Sequence, residues 1–501
     1  MAPIPVPNPI HDTPAPSRPP VASEISFSEI ISALTFAIDL TEGAVAGHAL
    51  RTCILGMRIA SAIELPLPQQ ASLHSASMLK DIRFGSNSTR MSQVDNQNRP
   101  SNHNVKLQEW TRASRPSLDT VKMLWSEVLP ERSTLQRLAR IGRIALTQHR
   151  NNAELLALRC ERGADIVERL GLSVETVQAI RALDEHWDGS GYPERLRGAD
   201  IPLLARILGV AQHLDVFASE RDPAAAIQGL QERSNRWFDP TLVHVVNSLD
   251  NQNELWTQCL TSDGSDVARR LVLDLEPTQD GFVRQSDIDR ICEAFADIVD
   301  AKSPFTYRHS IAVADVATSM ARVLQLTPDR VQLVRRAALL HDLGKLAVPN
   351  TILDKAEHLT SEEWEVVVQH PRLTREILSR IETFGELAEI AGAHHEKLDG
   401  SGYPDGLTAQ QLSLEARIVA VADVYQALIE RRPYRPGMSH AQAMVVLHRL
   451  AGEKLDPHCV AAVAVARDPW TVWTPTTASR QTTRRGPMSV SSGIRAAASL
   501  S

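Results

Sequence analysis

The hexapeptide Asp188-Gly-Ser-Gly-Tyr-Pro193 occurs a second time, letter for letter, at Asp399–Pro404. The likeness runs on beyond it. Ile201-Pro-Leu203 and Ala205-Arg-Ile207 keep the same distance from the first copy as Leu412-Ser-Leu414 and Ala416-Arg-Ile418 keep from the second. Internal repetition of this kind has to be settled before any fold is read, because it implies two related units rather than one. Extending the register outward pairs His48 with His309, Lys80-Asp81 with His341-Asp342, and Gln212 with Asp423. It also pairs Leu183-Asp184 with His394-His395 and, across a one-residue gap, Cys160 with His370. One copy carries an ordered set of imidazoles and carboxylates. The other keeps only His48 and Asp81 of it.

Both copies read as helical. Aromatic residues make up 4% of the chain, and apolar positions such as Ile54, Met57, Ile59 and Ile63 recur at roughly helical spacing. Helices are expected over Phe27–Ile38, Ala44–Ile63, Pro328–His341 and residues 414–430. Thr327-Pro328 has the form of an N-cap followed by proline at the first helical position. Thr360-Ser-Glu-Glu363 has the form of a capping box, expected to open the helix that delivers His370. Gly400 and Gly402 supply the backbone freedom for a sharp turn after the His-His pair.

Composition sets outer limits. The chain has 501 residues and a formal charge of −7, long enough for more than one core and acidic enough to argue against a nucleic-acid polymer as partner. Its five cysteines are scattered with no CxxC pair, so they are expected to be reduced thiols in a cytoplasmic protein. No apolar run reaches the ~18 residues of a membrane span, and the first residues lack the pattern of a signal peptide. The expected organisation is a disordered Pro-rich segment over 1–23 and a degenerate domain over 25–250 with a polar insertion near 85–118. A connection over 251–285, a metal-binding domain over 286–468 and a disordered basic Ser/Thr-rich segment over 469–501 complete it.

In the second copy the ordered set is His309, His341-Asp342, Lys345, His370, His394-His395-Glu396, Asp399-Gly-Ser-Gly-Tyr-Pro404 and Asp423. Neutral imidazole with carboxylate suits divalent first-row metals. This order and spacing resembles the HD-GYP family of bacterial metal-dependent phosphodiesterases, over about residues 285–465 and more weakly over 25–250. The resemblance implies an all-α protein of two tandem HD-type helical bundles. It implies that His309, His341, Asp342, His370, His394, His395 and Asp423 ligate two divalent metal ions, iron or manganese being favoured, with Asp342 as the bridge.

Asp342 and Lys345 are then the catalytic residues, with Lys345 neutralising phosphate charge. Lys345, Tyr403, Arg432 and Arg435 are the residues that contact substrate, a cyclic dinucleotide, with cyclic di-GMP first. The alternatives are another cyclic dinucleotide or nucleotide, or a non-catalytic sensor. The Gly-Tyr-Pro segment is a contact for a signalling partner in that family, and a homodimer is left open. Members with three metals carry acids where this chain has Phe305 and Gln426, so a third metal is not expected. The first copy, with Lys80, Cys160, Leu183 and Gln212 in ligand positions, is expected to be catalytically inert, with a regulatory, packing or dimerising role.

Overall fold

A computed structural model describes residues 27–42, 47–82, 160–257, 259, 266–277, 285–300, 302, 308–355, 357–430 and 436–466. The segments 1–23, 85–118 and 469–501, together with Phe305, Arg432 and Arg435, lie outside the described residues. Among the described residues the fold is all-α, and no strand is present.

The first half supplies α1 (Phe27–Glu42), α2 (His48–Ala62), α3 (Leu67–Leu79), a helical stretch over 160–169, α4 (Val174–Arg181), α5 (Leu203–Glu220), α6 (Pro223–Glu232) and α7 (Pro240–Asn251). The segment expected to be a plain connection contains a further helix, α8 (Asp266–Asp274), which packs on α2. The second half supplies α9 (Gln285–Asp300), α10 (His309–Val323), α11 (Pro328–Leu340), a 3-10 turn (Leu343–Ala347) and a single helical turn (Asn350–Leu353). It closes with α12 (Ser361–Val367), α13 (His370–Leu378), α14 (Gly385–Gly392), α15 (Leu414–Ile429), α16 (His440–Leu450) and α17 (Pro457–Val465).

Local sequence explains most of the boundaries. The capping box forms as expected: Thr360 N donates to Glu363 Oε2 at 2.7 Å, and Glu363 N donates to Thr360 Oγ1 at 3.3 Å. Thr327 holds the N-cap position in extended conformation, but its hydroxyl makes no capping bond. The helix opened by the capping box does not itself deliver His370. It ends at Val367, and α13 restarts at His370 with Pro371 in its first turn. Proline has no N–H to continue the ladder and disfavours a helical residue before it, so a fresh start is the local solution.

One apolar core runs through both halves. Within the second half α10 and α11 pair closely, α15 lies across α10, and α13 lies on α14 and on the 3-10 turn. α1 is the exception to local packing. It contacts α3 of its own half and also the 3-10 turn and α13 of the other. Its Thr35 hydroxyl donates to Met78 O at 2.9 Å, and the Arg380 guanidinium lies 3.5 Å over the ring of Phe36.

Candidate metal centre

Six elements converge on one buried pocket. His309 is the first residue of α10, and His341 caps the C-terminus of α11. Asp342 precedes the 3-10 turn, His370 heads α13, and Asp423 lies inside α15. His394 and His395 follow the end of α14. All seven side chains belong to buried residues, with His341 at 0% exposure and His395 the highest at 5%.

Close approach of backbones makes the convergence, and glycine allows it. A Cβ on Gly344 would stand 2.0 Å from His370 O, so no other residue lets the 3-10 turn rest on the head of α13. Thr374 pins the same junction, donating Oγ1 to His341 O at 2.9 Å and accepting from Gly344 N at 2.8 Å. Gly402 is as constrained, since a Cβ there would lie 2.5 Å from Glu396 Cα.

Glu396, next to the His pair, is not aimed at the pocket. Its carboxylate accepts from the backbone N–H groups of Asp405, Gly406 and Leu407 at 2.7, 3.1 and 2.9 Å, which fastens the Gly-Tyr-Pro loop. Asp399 caps Ser401 N at 2.9 Å and stays at the surface. The Tyr403 ring is 4.8 Å from the His395 ring and 6.0 Å from Trp364.

The tautomers can be read from the hydrogen bonds. Nδ1 of His341, His370 and His394 each lies 2.7 Å from a carbonyl oxygen three residues upstream, those of Ala338, Val367 and Ala391. A carbonyl only accepts, so each Nδ1 carries the proton, and the rings of His370 and His394, which burial keeps neutral, present a bare Nε2 to the pocket. His370 Nε2 and His394 Nε2 are 3.2 Å apart. Two lone pairs facing each other at that distance repel unless a cation lies in reach of both.

The carboxylates complete the picture. Asp342 Oδ1 is 3.3 Å from His370 Nε2 and 3.7 Å from His394 Nε2, while its Oδ2 is 3.3 Å from His341 Nε2. Asp423 Oδ1 is 3.2 Å from His309 Nε2, and its Oδ2 is 3.9 Å from His395 Nδ1. His341 Nε2, Asp342 Oδ1 and His395 Nδ1 are buried without any hydrogen-bond partner. Buried polar atoms are left bare at a cost, and a metal ion is the partner these donor types share. Three overlapping triads have ligand atoms within 4.8 Å of one another: His309/His341/Asp342, His341/His394/Asp423 and His370/His394/His395.

Charge follows from the same geometry. Burial alone would raise the Asp342 carboxyl, but His341 and Lys345 hold it well below the usual carboxylate range. Burial opposes ionisation of Asp423 too, and is outweighed by the His309 hydrogen bond and the neighbouring imidazoles. Burial, then the adjacent imidazoles, keep His394 and His395 neutral. The pocket therefore offers two carboxylates and the neutral rings of His370, His394 and His395, while, against burial, Asp423 and Glu430 push His309 up to about 10 and Asp342 pushes His341 up.

The structure also gathers one residue, Glu430, that no motif indicated. Glu430, at the end of α15, accepts from His309 Nδ1 at 3.0 Å. Gln426 is buried on the same helix, with Oε1 unpartnered. Lys345 is 21% exposed at its side chain and donates to Asp342 Oδ2 at 2.7 Å, so it reaches from the pocket wall toward solvent.

A buried, multi-ligand His/Asp centre in a helical bundle defines a class, the metal-dependent phosphohydrolases of HD type. The family model described as "HD domain" matches residues 150–242 and 293–459. The chain is 38% identical to a 3′3′-cGAMP-specific phosphodiesterase 3 of Vibrio cholerae serotype O1, over 88% of this chain and 94% of that one. It is 43% identical to the cyclic di-GMP phosphodiesterase response regulator RpfG of Xanthomonas campestris pv. campestris, over 31% of this chain and 42% of that one. The crystal structure of a cyclic GMP-AMP specific phosphodiesterase of V. cholerae superposes with a TM-score of 0.60 at 35% identity, covering 88% of this chain and 98% of that one. The chain belongs to the HD-GYP branch of the HD-domain family and is an enzyme of that type.

Proposed function

We propose that the chain hydrolyses a phosphodiester bond of a cyclic dinucleotide at the buried His/Asp centre. The observation that carries this is the facing pair of bare imidazole nitrogens, His370 Nε2 and His394 Nε2 at 3.2 Å, backed by two ionised carboxylates. His309, His341, Asp342, His370, His394, His395 and Asp423 would hold two divalent ions, since seven donors exceed the set one first-row ion takes. The mixed imidazole and carboxylate donors suit iron or manganese. Asp342, with both oxygens toward imidazoles, would be the ligand shared between the ions. When bound, such ions supply activated water and polarise the phosphoryl oxygens.

The chain's own part is positional. The carbonyls of Ala338, Val367 and Ala391 lock three rings, and Lys345 offers an ammonium at the pocket edge to phosphate oxygens. Arg432 and Arg435 follow α15 directly and suit bidentate contacts with a phosphate. Tyr403, its ring tilted against that of His395, fits a base-facing wall.

Among cyclic dinucleotides we place 3′3′-cGAMP first. The relative named for it aligns over 94% of its length, both halves included, whereas the cyclic di-GMP relative RpfG aligns over 31% of this chain. Cyclic di-GMP is the second reading, supported by the higher identity of 43% within that part. Residues 25–250 form, on this reading, a degenerate copy of the catalytic half at 286–468, and the Gly-Tyr-Pro loop is a face for a signalling partner.

The test is turnover of both dinucleotides by purified protein reconstituted with Mn²⁺, or anaerobically with Fe²⁺, with bound metal measured in the same sample. Turnover of cGAMP is expected to exceed that of cyclic di-GMP by about tenfold or more in kcat/KM, a difference of about 1.4 kcal/mol. The His341→Ala/Asp342→Ala variant is expected to lose both metal and turnover. Metal without turnover of either would move the substrate outside this class. Absence of metal would leave a sensor.

A further inference from the structure

The first half holds its own buried ion cluster at the place that matches the metal centre. Lys80, at the C-cap of α3, is fully buried, and its ammonium contacts the carboxylate of Asp81. His48, the first residue of α2, sets Nε2 3.6 Å from Asp81 Oδ2 and hydrogen-bonds through Nδ1 to Asp215. Arg51, one turn further on, donates Nε to Asp215 Oδ1 at 2.5 Å. His48 and His309 are introduced alike, each after a residue in the left-handed region: Gly47 at φ 81° and Arg308 at φ 61°. Asp215 reveals an exchange along the helix. The first half has Gln212 and Asp215 where the second has Asp423 and Gln426.

Charge separates the two sites. Among the described residues, Asp81 and Asp215 each meet a fixed cation, Lys80 and Arg51 respectively. Asp342 and Asp423 meet one fixed cation, Lys345, and otherwise imidazoles. A buried carboxylate demands a compensating charge, and a fully buried lysine is rare unless it provides one.

We infer that the Lys80 ammonium takes the place of the metal in the first half, which closes around this internal cation, binds no divalent ion and leaves all metal to the second half. The inference rests on reading His309–Asp423 as the metal centre. It gives the first half a role that does not vary with metal supply. Met78, two residues before Lys80, receives the Thr35 hydroxyl of α1, and α1 rests in turn on the 3-10 turn that follows Asp342. The Lys80 cluster thus anchors the helix that backs the catalytic turn.

Crystals of the full chain grown with Mn²⁺ and measured at the manganese absorption edge test this directly. Anomalous peaks are expected at the His309/Asp342/Asp423 centre and nowhere near His48, with Lys80 Nζ against Asp81. A peak among His48, Asp81 and Asp215 overturns the inference. No peak at the second-half centre would instead defeat the functional reading. Lys80→Met keeps the side-chain length and removes the charge. It is expected to lower the melting temperature by about 5–10 °C, because it removes the fixed cation beside a buried carboxylate. A Lys80→Met chain that melts with the parent overturns the inference as well.

Discussion

His309 hangs its ring between two carboxylates, Asp423 at 3.2 Å and Glu430 at 3.0 Å, whereas His341, His370 and His394 lean on backbone carbonyls. A carboxylate behind a ligating imidazole fixes its orientation and raises its basicity, and removing one such partner commonly costs 10–100-fold in metal affinity. Glu430→Ala is expected to weaken Mn²⁺ binding by about that factor in equilibrium dialysis, with Glu430→Gln losing less because it still accepts the hydrogen bond. Equal affinity in all three proteins would show that the contact carries nothing. Glu430 was invisible in the sequence because it sits in a run of charge, Glu430-Arg-Arg432, that reads as a solvated helix end. The seven converging side chains were legible because His and Asp at such spacing have few other uses. Thr374 and Gly344 act through backbone atoms, which leave no mark in side-chain chemistry.

At the scale of single elements, helix positions followed from periodicity and capping, while the break between α12 and α13 came from Pro371 overriding a continuous pattern. α5 carries a second kind of buried imidazole. His213 lies 4.2 Å from Phe217 and 4.9 Å from Phe238, with Nε2 unpartnered. Burial, then the Arg233 guanidinium, push its pKa down to about 3 from an ordinary 6.5. The sign follows: the unfolded chain binds the proton first, so this histidine's contribution is whole above about pH 6.5 and drains away as pH falls toward 3. His213→Phe removes that loss. The gap in denaturation midpoint between variant and parent is expected to stay constant above pH 6.5 and to widen in the variant's favour below it. A gap that does not change with pH would contradict this.

For the whole molecule, repetition in the sequence leads to the expectation of two related halves, yet nothing in it tells how α1 sits. An amphipathic pattern marks which face of a helix is apolar and is silent on what covers it. In the structure Ile30, Leu34 and Ala37 are fully buried, and α1 serves α3 on one side and the 3-10 turn with α13 on the other. A fragment beginning at Gln285 therefore lacks a wall of its own core. It is expected to unfold at lower denaturant than the full chain and to expose apolar surface to a hydrophobic dye. A monodisperse fragment that unfolds with the parent would show α1 to be dispensable.

The placement of α1 also sets an order of events at the ribosome. This helix is synthesised well before the 3-10 turn and α13 that cover its second face, with the rest of the first half between them. Until Leu343–Leu378 emerge, the nascent chain carries α1 with an apolar side that has no home. Contacts of such long sequence separation form slowly and leave sticky surface exposed meanwhile. Synthesis of this protein thus has a built-in waiting period, during which a chaperone has a defined client surface: the face of α1 reserved for the 3-10 turn and α13.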